Sequence, residues 1–276
     1  MREADATIAR SPSDVSRGGS HKLMRALDHQ EVEWQFDADD LGPVEDWLKE
    51  HSSISGFAIL SKKIRELTDT YYDTEDWRFY RAGYALRIRR DGKKVEATMK
   101  SLSPAEDGGL KRRREISEPL KNGGVKTLTT ARGPVGERLR LLAGMRDLRQ
   151  LFEVRTRRKT FELRPTGPER DIRRKEDGSG GAVLAEVALD ESEFLGGGRR
   201  ASLNRVEVEI SDEGAGSYGE VAGFVDGMRG SLELVSAEAS KFETGISASG
   251  LSPDEAPELG PTEVDASLSA GEKVGG

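Results

Sequence analysis

The chain has 276 residues and a formal net charge of −7, from 43 basic and 50 acidic side chains. Hydrophobic residues make up 35% of the chain and glycine adds 32 residues, which is enough apolar material for a buried core. Cysteine is absent, so disulfides, thiolate metal sites and cysteine nucleophiles are excluded. Only three histidines occur, which disfavours a histidine-rich zinc centre or a Ser–His–Asp triad.

Composition divides the chain into three parts. Residues 1–28 are polar and irregular and are predicted to form a flexible leader, whereas residues 248–276 predict a disordered acidic tail. One folded domain is therefore expected over 29–247. No apolar run approaches the roughly 20 residues of a membrane span, and the leader lacks the apolar core of a secretory signal. We expect a cytoplasmic protein without a membrane partner.

Alternation of polar and apolar residues predicts a mainly β (α+β) fold. Helical patterns are few, and they are expected to flank the strands. Four are predicted, at 42–51, 134–143, 218–229 and a shorter one at 237–244. The period-two pattern predicts about eight strands, at 31–36, 67–73, 84–89, 95–100, 110–116, 151–163, 183–189 and 205–210.

Charge follows these strands in a pattern. Nearly every strand carries charge on one face, and acids and bases occupy different strands. A sandwich whose polar faces meet water would account for this, and so would a closed barrel with a charged lumen. Carboxylates attract cations such as Mg²⁺, and Arg and Lys bind phosphate oxygens, so such a lumen suits a metal and a polyphosphate. The acidic net charge does not suggest a nucleic-acid partner.

Eight segments, in chain order, resemble the motifs of CYTH domains, the triphosphate tunnel metalloenzymes. The opening HQEVEWQFD resembles the family's E-x-E-x-K motif. Each later segment is weak evidence alone, but their order makes the resemblance specific. These segments are TDTYYDTEDWRFYRAGYALRIRR, VEATMKS, LKRRREIS, FEVRTRRKTFEL, AEVALDESEF, NRVEVEI and SKFETG. Only a short tail follows, so we expect a single domain without the helical CHAD domain that many members carry.

The resemblance implies an eight-stranded antiparallel tunnel-like β-barrel that binds a triphosphate or polyphosphate together with Mg²⁺ or Mn²⁺. The roles of Glu115 and Glu186, two further acids, are left open. By the motifs, the metal-binding and catalytic acids are Glu31, Glu33, Asp190, Glu207 and Glu209. The phosphate-binding bases are Arg87, Arg89, Lys100, Arg113, Arg155, Arg157 and Lys241.

One position departs from the motif, since Gln35 stands where E-x-E-x-K has its lysine. Glutamine donates hydrogen bonds but carries no charge, which bears on catalytic rate and substrate choice. The leading hypothesis is a metal-dependent hydrolase of a small triphosphate, namely inorganic tripolyphosphate. The alternatives are a polyphosphate-binding module with little turnover, and adenylate cyclase or thiamine triphosphatase activity in the same tunnel. The sequence gives no oligomeric state.

Overall fold

The computed structural model describes residues 28–51, 53–54, 56–102, 107–166 and 182–253. The predicted leader and acidic tail therefore lie outside the described residues, except for Asp28 and residues 248–253. None of the described helices is long and apolar enough to cross a membrane.

The described strands form one antiparallel sheet that closes on itself. Eight of them make the barrel in the order β8, β4, β5, β6, β7, β1, β10 and β9, and β9 pairs back with β8. The predicted eight-stranded antiparallel barrel is thus confirmed. The strands are β1 (Asp28–Asp37), β2 (Ser53–Ile54), β3 (Phe57–Ser61), β4 (Arg65–Thr74), β5 (Tyr84–Asp91), β6 (Lys94–Ser101), β7 (Leu110–Pro119), β8 (Leu148–Pro165), β9 (Ala185–Gly196), β10 (Arg199–Ile210) and β11 (Val235–Ser236).

Helices cover the outside of the barrel. The described residues include α1 (Gly42–Glu50), α2 (Arg78–Arg81), α3 (Val125–Thr129), α4 (Pro134–Ala143), α5 (Tyr218–Ser231) and α6 (Lys241–Ser249). Of these, α2 and α3 were not predicted, and neither were the short strands β2, β3 and β11, which lie off the eight-stranded ring.

The apolar core lies between the barrel wall and these helices. Alternate residues of each strand point outward, so Phe36 of β1 and Val208 of β10 pack against Phe224 of α5. On the other side, Ile88 of β5 packs in a cluster with Leu139 of α4. Because the apolar faces are used outside, the charged faces of the same strands line the inside.

Helix α6 covers one end of the barrel. It begins four residues later than predicted, because Ser240 caps it: Ser240 Oγ accepts from the Glu243 N–H, and the Glu243 carboxylate accepts from the Ser240 N–H. Phe242 packs against Tyr71 and Phe152, whose rings line that end. The cap orients the first residue of the helix, Lys241, toward the lumen.

Candidate functional site

The barrel encloses a cavity of about 140 Å³ lined almost entirely by charged and polar side chains. The alternation that buries apolar residues outside sends these side chains inward. Nine of the twelve predicted site residues line the cavity: Glu31, Glu33, Arg87, Arg89, Lys100, Arg113, Glu207, Glu209 and Lys241.

Three carboxylates crowd one wall. Glu31 and Glu33 are two residues apart on β1, and Glu209 of β10 is the cross-strand partner of Glu33. Burial, together with the charge of Glu33, raises the pKa of Glu31 well above its usual range and raises the pKa of Glu209 to about 7. The three carboxylates therefore do not all ionise readily in the free protein.

Two cations face this carboxylate wall. The Lys100 ammonium contacts Glu31 and lies 3.1 Å from Glu33 Oε1, and Arg113 Nη2 lies 2.6 Å from the same oxygen. Burial opposes the charge of Lys100, but Glu31 and Glu33 outweigh it and raise its pKa. Burial likewise opposes ionisation of Glu33, yet Lys100 and Arg113 hold its pKa below the usual value. Glu33 is therefore the ionised member of the three.

A second charged cluster lies nearer to α6. Arg158 of β8 makes two bonds to Asp190, of 2.7 and 2.6 Å, and one of 2.5 Å to Glu207. Lys241 also contacts Asp190 and lies 2.8 Å from Glu207 Oε1. Burial acts to raise the pKa values of these acids, but Arg158 and Lys241 reverse the effect and lower both. Two cations thus satisfy two carboxylates here.

A third pair of cations is held by an acid that the motifs did not indicate. Arg89 of β5 makes two bonds of 2.7 Å to Asp69 of β4, and Arg87 lies 3.6 Å from the same carboxylate. Burial opposes ionisation of Asp69, but the two guanidinium groups hold its pKa well below the usual range. Asp69 therefore fixes both arginines while leaving other N–H groups of Arg87 toward the cavity.

Gln35 links the two main clusters. Its Nε2 donates to Glu33 at 2.9 Å and to Glu207 at 3.5 Å, while its buried Oε1 has no partner in the described structure. An uncharged amide thus separates carboxylates that a lysine would have neutralised.

The structure places two predicted phosphate ligands outside the lumen. Arg155 and Arg157 point out of the barrel, where their side chains are 63% and 40% exposed and pair with Glu153 and Glu191. The inward face of β8 consists of the even-numbered residues, so Arg158 lines the cavity. The sequence RTRRK has cations on both faces of the strand, and the two-residue spacing of the prediction follows the outward face.

The two acids whose roles the motifs left open, Glu115 and Glu186, lie in different places. Glu115 lines the cavity, where Lys100 and Arg87 outweigh burial and lower its pKa, and Ser117 donates to it at 3.1 Å. Glu186 lies opposite Glu209 on β9 but does not line the cavity.

The donor sets differ in their fit to a divalent cation. Among the described residues, no three acidic or histidine side chains already converge as a metal site. Asp190 and Glu207, also predicted as metal ligands, are paired with Arg158 and Lys241, so a metal ion there would have to displace these cations. Glu31, Glu33 and Glu209 fit a metal ion better, because they are hard oxygen donors on one wall whose charges repel one another when all three are ionised.

An eight-stranded antiparallel barrel whose enclosed lumen carries carboxylates on one wall and cations on the others defines a charged β-tunnel protein. The model of the CYTH domain family matches residues 42–220, more than half of the chain. The chain therefore belongs to the CYTH family, as its motifs predicted.

Solved structures share the fold. A protein from Hippeastrum, described as having a dominant triphosphatase activity, is 20% identical, with 81% of this chain and 99% of that protein covered and a TM-score of 0.51. A protein from Pyrococcus horikoshii OT3 is 19% identical over 79% of this chain and 98% of its own, with a TM-score of 0.47. No curated protein matches the sequence. At 20% identity the likeness to the Hippeastrum protein establishes the fold alone.

Proposed function

We propose that the protein is a divalent-metal-dependent hydrolase of a small triphosphate, with inorganic tripolyphosphate as the substrate. The observation that supports this is a lumen in which three carboxylates share one wall and six cations line the same cavity. Mg²⁺ or Mn²⁺ would be held by Glu31, Glu33 and Glu209. Such an ion supplies charge neutralisation to phosphate oxygens and lowers the pKa of a bound water.

The cations of the chain bind the substrate. A tripolyphosphate carries several negative charges, and guanidinium and ammonium groups fixed in a buried lumen stabilise charge on phosphoryl oxygens without reorganising. Carboxylates hold these groups in place: Asp69 orients the Arg87–Arg89 pair, and Asp190 orients Arg158 and Lys241. Asp190 and Glu207 thus serve as positioning residues.

Lys100 couples the two halves of the site. In the free protein its ammonium lies against Glu31 and Glu33. If Glu31, Glu33 and Glu209 held a divalent cation, Lys100 would lose its carboxylate partners and its ammonium could bind a phosphate oxygen instead. Metal and substrate would then bind cooperatively.

The test is phosphate release from tripolyphosphate with Mg²⁺, with Mn²⁺ and with EDTA. We expect metal-dependent turnover that falls at least about 100-fold in Glu33→Gln, because the variant removes the ionised oxygen donor of the carboxylate wall. Glu191→Gln, on the exposed outer face of β9, is the matched control and keeps wild-type turnover. Turnover that is indifferent to EDTA and to Glu33→Gln would contradict the proposal.

A second candidate is a polyphosphate-binding module with little turnover. The observation that favours it is Gln35, which leaves the carboxylate wall without the charge of the motif lysine. Tight binding of tripolyphosphate without phosphate release identifies this case. ATP and thiamine triphosphate in the same assay distinguish cyclase and thiamine triphosphatase activity.

A further inference from the structure

One lysine inside the barrel has no role in the site described above. Lys111 lies on β7 two residues before Arg113, so its side chain shares the inward face with Arg113 and Glu115. Its Cα partner across β1 is Glu33, and it is only 2% exposed. It is therefore a buried cation at the end of the lumen that α6 covers.

Lys111 differs from every cation that lines the cavity. Each of those six has a carboxylate oxygen within 4.0 Å. Lys111 has no carboxylate within that distance in the described part of the chain. Arg205 of β10, on the other side of β1, shares this feature in part: its Nε donates to Asp37 at 2.8 Å, but its buried Nη1 has no partner.

Two cations and two acids lie around Lys111, and the cations have the larger effect on it. Burial first, and then the charges of Arg113 and Arg205, lower the pKa of Lys111 to about 8, while Glu33 and Glu243 of α6 act weakly in the other direction. A buried cation without a counter-ion costs free energy in the empty protein. A site that leaves such a charge uncompensated is prepared for an anion.

Strand register places this charge beside the cavity, although Lys111 and Arg205 are not among the residues that line it. Lys111 is opposite Glu33, so it is diagonal to Gln35, at a spacing of about 7–8 Å that a lysine side chain spans. Gln35 and Arg113 both line the cavity. Arg205 reaches the same end from the other edge of β1, because it lies opposite Asp37.

We propose that Lys111 and Arg205 form an anion subsite at the α6 end of the tunnel, which takes a terminal phosphate of the bound chain. This deepens the proposed function, since the ligand is the triphosphate of that tunnel. Lys111 supplies, from the neighbouring strand, a positive charge beside Gln35. The carboxylates do not neutralise it in advance, so the phosphate receives its full effect.

The test is calorimetric binding of tripolyphosphate in EDTA and in Mg²⁺, with turnover and thermal unfolding measured on the same proteins. Lys111→Met removes the charge and keeps an unbranched side chain of similar length. We expect its affinity for tripolyphosphate to fall about 10-fold or more, while its Tm without ligand rises because an unpaired buried charge is gone. Lys111→Arg restores affinity, and Arg114→Met, on the exposed face of the same strand, leaves affinity unchanged.

Opposite changes in affinity and stability are the expected signature, since a merely structural lysine would lower both Tm and affinity when replaced. Wild-type affinity in Lys111→Met, or a lowered Tm that Lys111→Arg does not restore, overturns the subsite. If the wild type turns over tripolyphosphate but Lys111→Met binds it as tightly as the wild type, the subsite is overturned and the hydrolase proposal stands. Binding that depends on Lys111 without turnover supports the subsite and contradicts the hydrolase.

Discussion

The three carboxylates on one wall of the lumen ionise differently because the nearby cations do not contact them equally. Lys100 and Arg113 both reach Glu33, so it stays charged, whereas burial and the nearby charge of Glu33 keep protons on Glu31 and Glu209 to higher pH. Full ionisation of the wall would bring three like charges together, a repulsion that a divalent cation would relieve.

This charge distribution predicts how stability depends on pH in EDTA. The pKa of Glu209 rises from 4.5 in the unfolded chain to about 7 in the fold, so between these values the folded state binds more protons than the unfolded state. Its contribution to stability is present below pH 4.5 and is lost as the pH rises through 7. Glu209→Gln removes this dependence, so the variant should become more stable than wild type by about 2–3 kcal/mol above pH 7.

Chemical unfolding of both proteins from pH 4.5 to 8 measures the difference. Added Mg²⁺ should stabilise the wild type more than Glu209→Gln at pH 7.5, since the variant lacks one oxygen donor. A variant that is less stable than wild type at every pH would show that Glu209 is a structural partner.

At this scale the sequence predicted the acids better than the bases. Glu31, Glu33, Glu207 and Glu209 stand in two E-x-E pairs on strands with clear alternation, so their face was readable. In β8 three arginines occupy both faces, and only the register with Asp190 shows that Arg158 is the inward one. Lys111 lies in the LKRRREIS segment but was not singled out, because what distinguishes it is the lack of a carboxylate partner among the described residues.

Among the elements, the eight strands were predictable because each buries an apolar outer face against a helix or neighbouring strand while its other face is charged. The boundaries of the elements were less predictable. For α6, the sequence pattern suggested a start at 237, but the Ser240–Glu243 capping box moves it to Lys241. This shift matters for the site, because Lys241 reaches the lumen only from the first turn.

The fit of α6 depends on one glycine. A Cβ at Gly245 would lie 2.1 Å from the Phe152 ring, which is itself packed against Tyr71. Gly245→Ala should therefore lift the helix from the barrel end, with a loss of about 1–3 kcal/mol of stability and weaker tripolyphosphate binding through displacement of Lys241. Gly223→Ala, in the middle of α5 where a Cβ meets nothing within 4 Å, should instead stabilise by up to about 1 kcal/mol.

Thermal unfolding and tripolyphosphate calorimetry on the two glycine variants separate these cases. If Gly245→Ala bound tripolyphosphate as tightly as Gly223→Ala, the position of α6 would have no part in the tunnel's affinity.

At the scale of the whole molecule, the barrel reverses the polarity of an ordinary barrel core. Charged side chains line its inside, and apolar side chains cover its outside. The net charge is −7, yet six cations line the lumen beside its carboxylates, which favours entry of a polyanion into this site. The price is a network of buried ion pairs whose members must be satisfied together. The sequence showed that acids and bases occupy different strands. It did not show which acid pairs with which base, because that depends on which strands become neighbours when the sheet closes.

The barrel closes within the described residues. We therefore expect the acidic tail to contribute little to turnover or stability. The β8–β9 pairing and α6 both precede Pro253, so a chain ending at Pro253 should keep its turnover, with stability changed by no more than about 0.5 kcal/mol. A chain ending at Ser249 should lose about 1–2 kcal/mol. That cut removes Gly250, which ends α6 at a φ of 66°, and Leu251, whose N–H donates to Ile246 O at 3.0 Å. The test measures denaturant unfolding and phosphate release on both shortened chains. A marked loss of turnover in the chain ending at Pro253 would show that the tail helps to close the tunnel.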